Sequence, residues 1–171
     1  MDFIRSAWDI IWEALGWFQI CTFIDEWEEG VLLRRGKFSR VVKPGIAWHL
    51  PFEIDEITVE NVKPCSMELD EQVLTTYDEI AIVISVNLLW SIFDIKKCLV
   101  DVEDAGDTLQ DIALGYVQEL VEETDWDEIQ TKAFRKELKE RIQKQARKFG
   151  ITATTVKIAN LAKTRVYRLI T

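Results

Sequence analysis

The sequence has little of the chemistry that metal centres and disulfide frameworks need. Among its 171 residues there is one histidine, His49. There are three cysteines, and none of them forms a Cys-x-x-Cys pair: Cys21, Cys65 and Cys98. One histidine excludes a histidine-cluster metal site, and an odd number of scattered cysteines does not make a disulfide framework. We therefore expect no metal and no other cofactor, and the scattered thiols favour a reducing compartment.

Motifs for covalent catalysis and nucleotide binding are also missing. None of the serines lies in a Gly-x-Ser-x-Gly elbow, and there is no GxGxxG or P-loop pattern. His49 follows Trp48 close to Pro51, at a strand end, where a structural role is expected. We therefore expect a protein that is not an enzyme, and a hydrolase is the least favoured class.

No apolar run is long enough to span a membrane. The longest uncharged run, residues 14–24, has eleven residues, whereas a spanning helix needs about 20. The N-terminus also lacks the basic region and the small-residue cleavage site of a signal peptide.

The N-terminal segment is amphipathic instead. At about 100° per residue its apolar side chains fall on one wide arc, with Trp12 and Trp17 near the edges. Indole prefers such boundaries, so the pattern predicts an amphipathic helix in the membrane interface. The residues expected to contact the membrane are Phe3, Ile4, Trp8, Ile11, Trp12, Leu15, Trp17 and Phe18. Because the polar face is acidic, a second interpretation stays open, in which this helix packs on the domain or on another subunit.

The charges are divided unevenly along the chain. Residues 1–131 hold 9 Lys/Arg and 28 Asp/Glu, whereas residues 132–171 hold 12 and 2. Such a division is typical of a protein with a partner of opposite charge, and the candidates are nucleic acid, an anionic membrane and another copy of the chain. The basic helix carries no exposed aromatic residues for base stacking, so we expect no nucleic acid partner. The predicted contacts of a homo-oligomer are Lys136, Lys139 and Arg147 against Glu119, Glu122 and Glu123. The alternative is that the two charged surfaces pair within one chain.

Residues 21–90 alternate between strand-like runs and turn signals. The predicted strands cover residues 22–28, 31–35, 38–42, 46–50, 54–62, 67–74 and 80–90, and the last one is the central strand. The residues expected to form turns are Gly30, Gly36, Pro44, Gly45 and Pro51. Short connections between successive strands predict an antiparallel sheet.

Helical spacing follows over residues 92–102 and 104–124. Asp125-x-x-Glu128 resembles a capping box and predicts the start of a third helix, which Gly150 would end. Residues 151–159 predict a returning strand. The expected fold is therefore α+β. We divide the chain into an N-terminal amphipathic helix (1–21) and one domain (22–171), with a β-rich part (22–91), a helical part with the final strand (92–160) and a short tail (161–171).

The order of these motifs resembles a known family. Residues 25–52 read DEWEEGVLLRRGKFSRVVKPGIAWHLPF. This segment is similar to the start of the SPFH or Band 7 domain of stomatins, prohibitins and flotillins. The matching positions are Glu28, Gly30, Val31, Arg35, Gly36, Lys37, Pro44, Gly45, Pro51 and Phe52, followed by Thr76, Asp78, Trp90, Asp94, Gly150 and Ile151. The resemblance spans about residues 22–160.

The resemblance implies a non-enzymatic scaffold at the cytoplasmic face of a membrane. Such a protein is peripheral, self-assembles, and organises the membrane or modulates a partner such as a membrane protease or channel. The sequence continues about twenty residues past Gly150 without heptads, so we do not expect the coiled-coil stalk of the family. The alternative is a soluble self-assembling structural protein, possibly phage-encoded, whose N-terminal helix packs on a neighbouring subunit.

Overall fold

The structure of the chain, a computed structural model, describes residues 20–52 and 54–164. It has the predicted α+β architecture, with antiparallel sheets, helices that follow most of the strands, and a C-terminal strand. The predicted N-terminal helix and the last seven residues lie outside the described residues. The chain divides into two compact units, one that ends at Val62 and one that begins at Lys63.

Unit 1 is built from short antiparallel strands. They are β1 (Cys21–Ile24), β2 (Glu28–Arg34), β3 (Lys37–Val42), β4 (Gly45–Trp48) and β5 (Asp55–Asn61). Strands β3, β2 and β5 form a three-stranded sheet in that order, while β1 and β4 pair as a two-stranded ribbon. Side chains from both groups share a small core of Ile24, Leu32, Val42, Ala47, Ile57 and Val59. The ribbon therefore covers the sheet with one of its two faces.

The β2–β3 hairpin has a two-residue loop. Arg34 pairs with Lys37, and the loop residues Arg35 and Gly36 both have positive φ, +52° and +73°. Two consecutive positive φ values are the requirement of a type I′ turn, whose twist matches that of the strands. Glycine meets that requirement without strain, whereas arginine rarely adopts it. Gly36, one of the residues expected to form turns, is the second residue of this loop.

Gly30 does not break a strand, contrary to the sequence-based expectation. It lies inside β2 and pairs with Val42 on one side and Val59 on the other. A Cβ at this position would collide with the carbonyl oxygen of Thr58 and lie 2.8 Å from Cγ1 of Val59. Glycine is needed here because β5 approaches the β2 backbone closely, and not because the chain turns.

Unit 2 contains a second antiparallel sheet with helices on one face. Its strands are β6 (Cys65–Glu68), β7 (Gln72–Thr75), β8 (Ala81–Ile92) and β9 (Ile151–Lys163). The predicted central strand is confirmed, because β8 pairs with β6 and β7 along one edge and with β9 along the other. The strand expected over 67–74 is wrong, since β6 and β7 pair with different parts of β8. Between them Leu69 is buried, and its N–H donates to Val86 O at 2.9 Å.

The helices of unit 2 are α1 (Ile95–Val100), α2 (Ala105–Glu122), α3 (Trp126–Ile129) and α4 (Lys132–Ala146), with a 3₁₀ turn at Arg147–Phe149. The prediction of one long helix from Asp125 is wrong. Asp125 makes no side-chain cap bond, whereas the Thr131 hydroxyl donates to Glu128 O and accepts from Phe134 N. Thr131 therefore ends α3 and caps α4.

The core of unit 2 lies between the sheet and helices α2 and α4. Its fully buried side chains include Ile82, Ile84, Val86, Leu88, Leu109, Val121, Leu138, Ile142 and Ile151. Gly150 leads from the 3₁₀ turn into β9 with φ of +78°. Its carbonyl accepts hydrogen bonds from the N–H groups of Phe93 and Asp94, which fixes the start of α1 against β9.

Candidate membrane-facing surface

The β1–β4 ribbon of unit 1 has one covered face and one exposed face. In its register Cys21 pairs with Trp48 and Phe23 pairs with Ile46. Because side chains alternate along a strand, these four residues lie on one face. The other face carries Ile24 and Ala47, which are buried in the core of unit 1.

The exposed face is strongly apolar. The exposed fraction is 75% for Phe23, 58% for Ile46 and 62% for Trp48. Three further large apolar residues at the ends of the ribbon or just after it are also exposed: Ile20, Leu50 and Phe52. We call these six residues the ribbon surface. Exposed apolar residues grouped in this way along two paired strands are typical of sites that contact a membrane or another protein, whereas singly scattered ones are not.

The ribbon surface begins where the predicted membrane segment ends. Ile20 is the first described residue, and its carbonyl accepts a hydrogen bond from His49 N at 3.0 Å. The His49 ring lies 3.2 Å from the Thr22 hydroxyl, which joins β1 to the end of β4. The predicted membrane-contact residues between Phe3 and Phe18 lie outside the described residues, and they directly precede this surface in the chain.

Asp55 joins the loop that follows β4 to the end of β2. It accepts from Arg34 through both carboxylate oxygens, at 2.7 Å from Nε and 3.0 Å from Nη2, and it accepts from Leu50 N at 2.9 Å. The hydrogen bond from Arg34 and then that from Leu50 N lower the pKa of Asp55 to about 2. Among the residues that the structure describes, Asp55 is the only charged residue that is buried.

Neither a spanning helix nor a metal cluster is present in the described part of the chain. Within residues 20–52 and 54–164, every helix is too short or too polar to cross a membrane. The same residues contain no group of three histidine, cysteine or carboxylate side chains that could hold a metal ion.

The predicted oligomer contacts lie on α2, on α4 and in the turn after α4. Two of the acidic ones, Glu119 and Glu123, accept hydrogen bonds from Arg141 of the same chain at 3.1 and 2.8 Å. Arg141 also binds Glu137 at 2.7 Å. The hydrogen bond to Glu137 and then that to Glu123 raise the pKa of Arg141. Sequence reasoning did not single out Arg141, although Glu137 and Arg141 have the i,i+4 spacing of a helical ion pair.

The other predicted oligomer contacts have weaker partners. Lys136 lies 3.8 Å from Glu140 in an ion pair whose side chains are both mostly exposed. Glu122 accepts from Gln118 at 2.9 Å. Lys139 is half-buried and Arg147 is exposed. Exposed pairs of this kind contribute little to stability, so these side chains are available to a partner.

Comparison with known proteins assigns the family. Residues 22–167 match the model of the SPFH domain / Band 7 family. The chain belongs to the SPFH/Band 7 family.

Several bacterial and eukaryotic proteins resemble this SPFH chain. It is 35% identical over 100 residues to Protein HflK of Vibrio cholerae, covering 58% of this chain and 24% of that protein. It is 35% identical over 101 residues to the Modulator of FtsH protease HflK of Escherichia coli K12, covering 59% and 23%. It is 31% identical over 86 residues to the stomatin-like protein stl-1 of Caenorhabditis elegans, covering 50% and 26%. The matched region thus spans about a quarter of the length of these relatives.

Thr76 and Asp78, two of the motif residues in unit 2, lie between β7 and β8. The Thr76 hydroxyl is buried and hydrogen-bonds to Asp78, and it accepts from Ile80 N at 3.1 Å. Asp78 in turn accepts from Trp126 N at 3.2 Å, at the start of α3. The hydrogen bond from Thr76 is the largest cause of the lowered pKa of Asp78. This motif therefore ties the β7–β8 turn to the helical layer.

Proposed function

We propose that this SPFH chain is a non-enzymatic scaffold that associates peripherally with a membrane through unit 1. The observation that carries the proposal is the ribbon surface. Phe23, Ile46 and Trp48 would be costly to leave in water on a face without a partner, because burying a large apolar side chain stabilises by about 1.5–3 kcal/mol. Tryptophan and phenylalanine at such a surface suit the boundary between headgroups and acyl chains.

The surface also fits the segment that precedes it. The sequence predicts that residues 1–21 form an amphipathic helix with apolar residues such as Trp8 and Leu15 on one arc. The ribbon surface follows this segment immediately at Ile20. Two adjoining apolar surfaces bind a membrane more firmly than one, because the second attaches without a further loss of translational freedom.

The cytoplasmic face is the side of the membrane that we propose. Cys21, Cys65 and Cys98 are an odd number of scattered cysteines without Cys-x-x-Cys spacing, and such cysteines suit a reducing compartment. Cys65 is exposed. A membrane-impermeant maleimide should therefore label Cys65 in inside-out vesicles and not in sealed right-side-out vesicles from expressing cells. Labelling of right-side-out vesicles would place the domain on the opposite side.

The partners that we propose are further copies of the chain and a membrane protein such as a protease or channel. The E. coli relative is named as a modulator of the FtsH protease, which supports a protease partner. Self-association would use Lys136, Lys139 and Arg147 against acidic surface of the next copy. The proposed acidic contacts are Glu122, Glu119 and Glu123. At Glu119 and Glu123 a second copy would compete with Arg141 of the same chain.

Liposome flotation tests the membrane function directly. The full chain is mixed with vesicles of phosphatidylcholine, alone or with phosphatidylglycerol, and centrifuged through a density gradient. The test variant replaces Phe23 and Trp48 with serine. The matched control replaces Val73 and Tyr77 with serine, because these unit 2 residues are exposed to a similar degree, 64% and 72%. We expect the test variant to bind vesicles about tenfold or more weakly, given the apolar area removed.

The outcomes separate the interpretations. Flotation of the wild type and the control, with loss in the test variant, supports the proposal. Loss in both variants would mean that general hydrophobicity drives binding. A wild type that stays at the bottom of the gradient with both kinds of vesicle would contradict membrane association altogether.

A further inference from the structure

The Arg34–Asp55 pair joins a buried carboxylate to a partly exposed guanidinium. The Asp55 side chain is fully buried, whereas 54% of the Arg34 side chain is exposed. Burying a carboxylate removes its hydration, and the hydrogen bonds from Arg34 and Leu50 N more than offset that cost, since the pKa of Asp55 is lowered. The ionised carboxylate is therefore a firm anchor for the groups that donate to it.

The Asp55 carboxylate accepts a third hydrogen bond, and its donor is the backbone of Leu50, a residue of the ribbon surface. Oδ2 of Asp55 accepts both from Arg34 Nη2 and from the backbone N–H of Leu50. Next to this contact, Arg35 N donates to Ile54 O at 2.7 Å. Two bonds thus fasten the loop after β4 to the end of β2, one near each end of the loop.

The fastened loop carries exposed apolar side chains on an unusual backbone. The exposed fraction is 46% for Leu50 and 65% for Phe52. Phe52 has φ of +62°, which is uncommon for a residue with a bulky side chain. Such a conformation persists only where the surrounding bonds determine it.

We propose that Asp55 is a positioning residue that holds Leu50 and Phe52 in the conformation in which they contact the lipid interface. The inference rests on the proposed membrane function. Arg34 neutralises the buried charge, and the remaining lone pairs of the carboxylate fix the Leu50 amide. Leu50 and Phe52 are then already ordered before the protein meets the membrane. Binding therefore does not carry the entropy loss of ordering these side chains.

The test compares two variants with a matched control. Asp55→Asn replaces the charged acceptor of the Leu50 amide with a weaker neutral one and removes the ion pair with Arg34, and Asp55→Ala removes the acceptor altogether. The control is Glu140→Gln, which neutralises a carboxylate of an exposed ion pair on α4. Hydrogen exchange measures the protection of the Leu50 amide, thermal melting measures the stability of the fold, and flotation measures membrane binding.

A double-mutant cycle separates positioning from general stability. Asp55→Asn is measured in the wild type and in a background with Leu50→Ser and Phe52→Ser. If Asp55 acts through these side chains, Asp55→Asn weakens vesicle binding in the wild type and has no further effect in the serine background. A residue that only supports the fold would weaken binding equally in both.

We expect the Leu50 amide to exchange about tenfold faster in Asp55→Ala, the scale of a lost hydrogen bond to a charged group. Asp55→Asn should still fold if Asp55→Ala does not, and its flotation should decrease while Glu140→Gln floats like the wild type. The positioning role would be overturned, with the membrane function still standing, by either of two results. Asp55→Asn would float like the wild type, or it would weaken vesicle binding equally in the wild type and in the serine background. A wild type that does not float would overturn both, and faster exchange would then show only that Asp55 fastens the loop.

Discussion

Phe23 on β1 lies directly opposite Ile46 on β4, and both side chains present more than half of their surface to solvent. Their immediate neighbours Ile24 and Ala47 are buried. The two faces of this short ribbon therefore have different environments. The face with Ile24 and Ala47 stabilises unit 1 as part of its core, and the face with Phe23 and Ile46 is exposed and available for binding.

Equivalent substitutions on the two faces should have different effects on stability. Ile24→Thr places a hydroxyl in the core and removes apolar contacts, so we expect a loss of about 2 kcal/mol in the free energy of unfolding. Ile46→Thr changes an exposed position and should stay within about 0.5 kcal/mol of the wild type. Urea unfolding of both variants gives the comparison. Equal losses would mean that the Ile46 face is covered in the folded protein.

Two glycines should respond oppositely to a methyl group. Gly30→Ala forces β2 away from Thr58 and should destabilise the protein by about 1–3 kcal/mol, the range for overpacking. Gly115→Ala adds a methyl group on α2 with no atom within 4 Å, so it should stabilise by about 0.5–1 kcal/mol through helix propensity. Differential scanning calorimetry measures both variants. A neutral Gly30→Ala would show that the β2–β5 backbone can separate at no cost.

Strong local patterns predicted the main elements of unit 2. The run of β-branched and apolar residues over 80–90 corresponds to β8, and the helical spacing over 104–124 corresponds to α2. Both signals arise within the element itself. The final strand was expected to end at residue 159 but continues to Lys163, because β8 provides partners as far as Ile82.

The errors occurred where distant contacts decide the structure. The break between β6 and β7 depends on the bond from Leu69 to Val86, and the break between α3 and α4 depends on which side chain caps the helix. Asp125 and Thr131 both suit an N-cap by residue type. Residue type alone therefore does not decide which of the two makes the cap bond.

The ribbon surface could not be predicted from the sequence for the same reason. Alternation within β1 and β4 shows two faces but does not say which one the sheet covers. The pairing of Arg34 with Asp55 joins residues 21 positions apart, with no local pattern to indicate it. The N-terminal segment did have a local signal, its helical period, and its membrane-contact residues stay a prediction.

The acid stability of the protein should depend on Asp55. Its folded pKa of about 2 lies below the usual value of 3.8, so its contribution is complete above the unfolded pKa. That contribution is lost as the pH falls through the folded pKa. Asp55→Asn should therefore be less stable than the wild type at neutral pH, and the difference should shrink between about pH 4 and pH 2. Urea midpoints at several pH values check this. A constant difference over that range would mean that Asp55 does not titrate as described.

Self-association should depend on the basic side of α4 rather than on Arg141. Arg141 already binds Glu119 and Glu123 of its own chain. The weakly paired Lys136, the half-buried Lys139 and the exposed Arg147 are then the groups that can meet acidic surface of another copy. Exposed charges interact over about 8 Å at physiological salt. Oligomers should therefore form at low salt and dissociate as NaCl is added, which mass photometry can follow.

The decisive variant changes Lys136, Lys139 and Arg147 to glutamate, and we expect it to remain monomeric at every salt concentration. Its matched control carries the same change in net charge at exposed positions outside α4, with Lys37, Lys43 and Lys157 changed to glutamate. If net charge alone drove dissociation, both variants would be monomeric. If α4 pairs only within its own chain, the first variant would lose melting temperature while the wild type stayed monomeric even at low salt, and self-association through α4 would be rejected. Oligomers in the wild type and the control, together with an unchanged melting temperature of the monomeric variant, would place the contact on the basic side of α4.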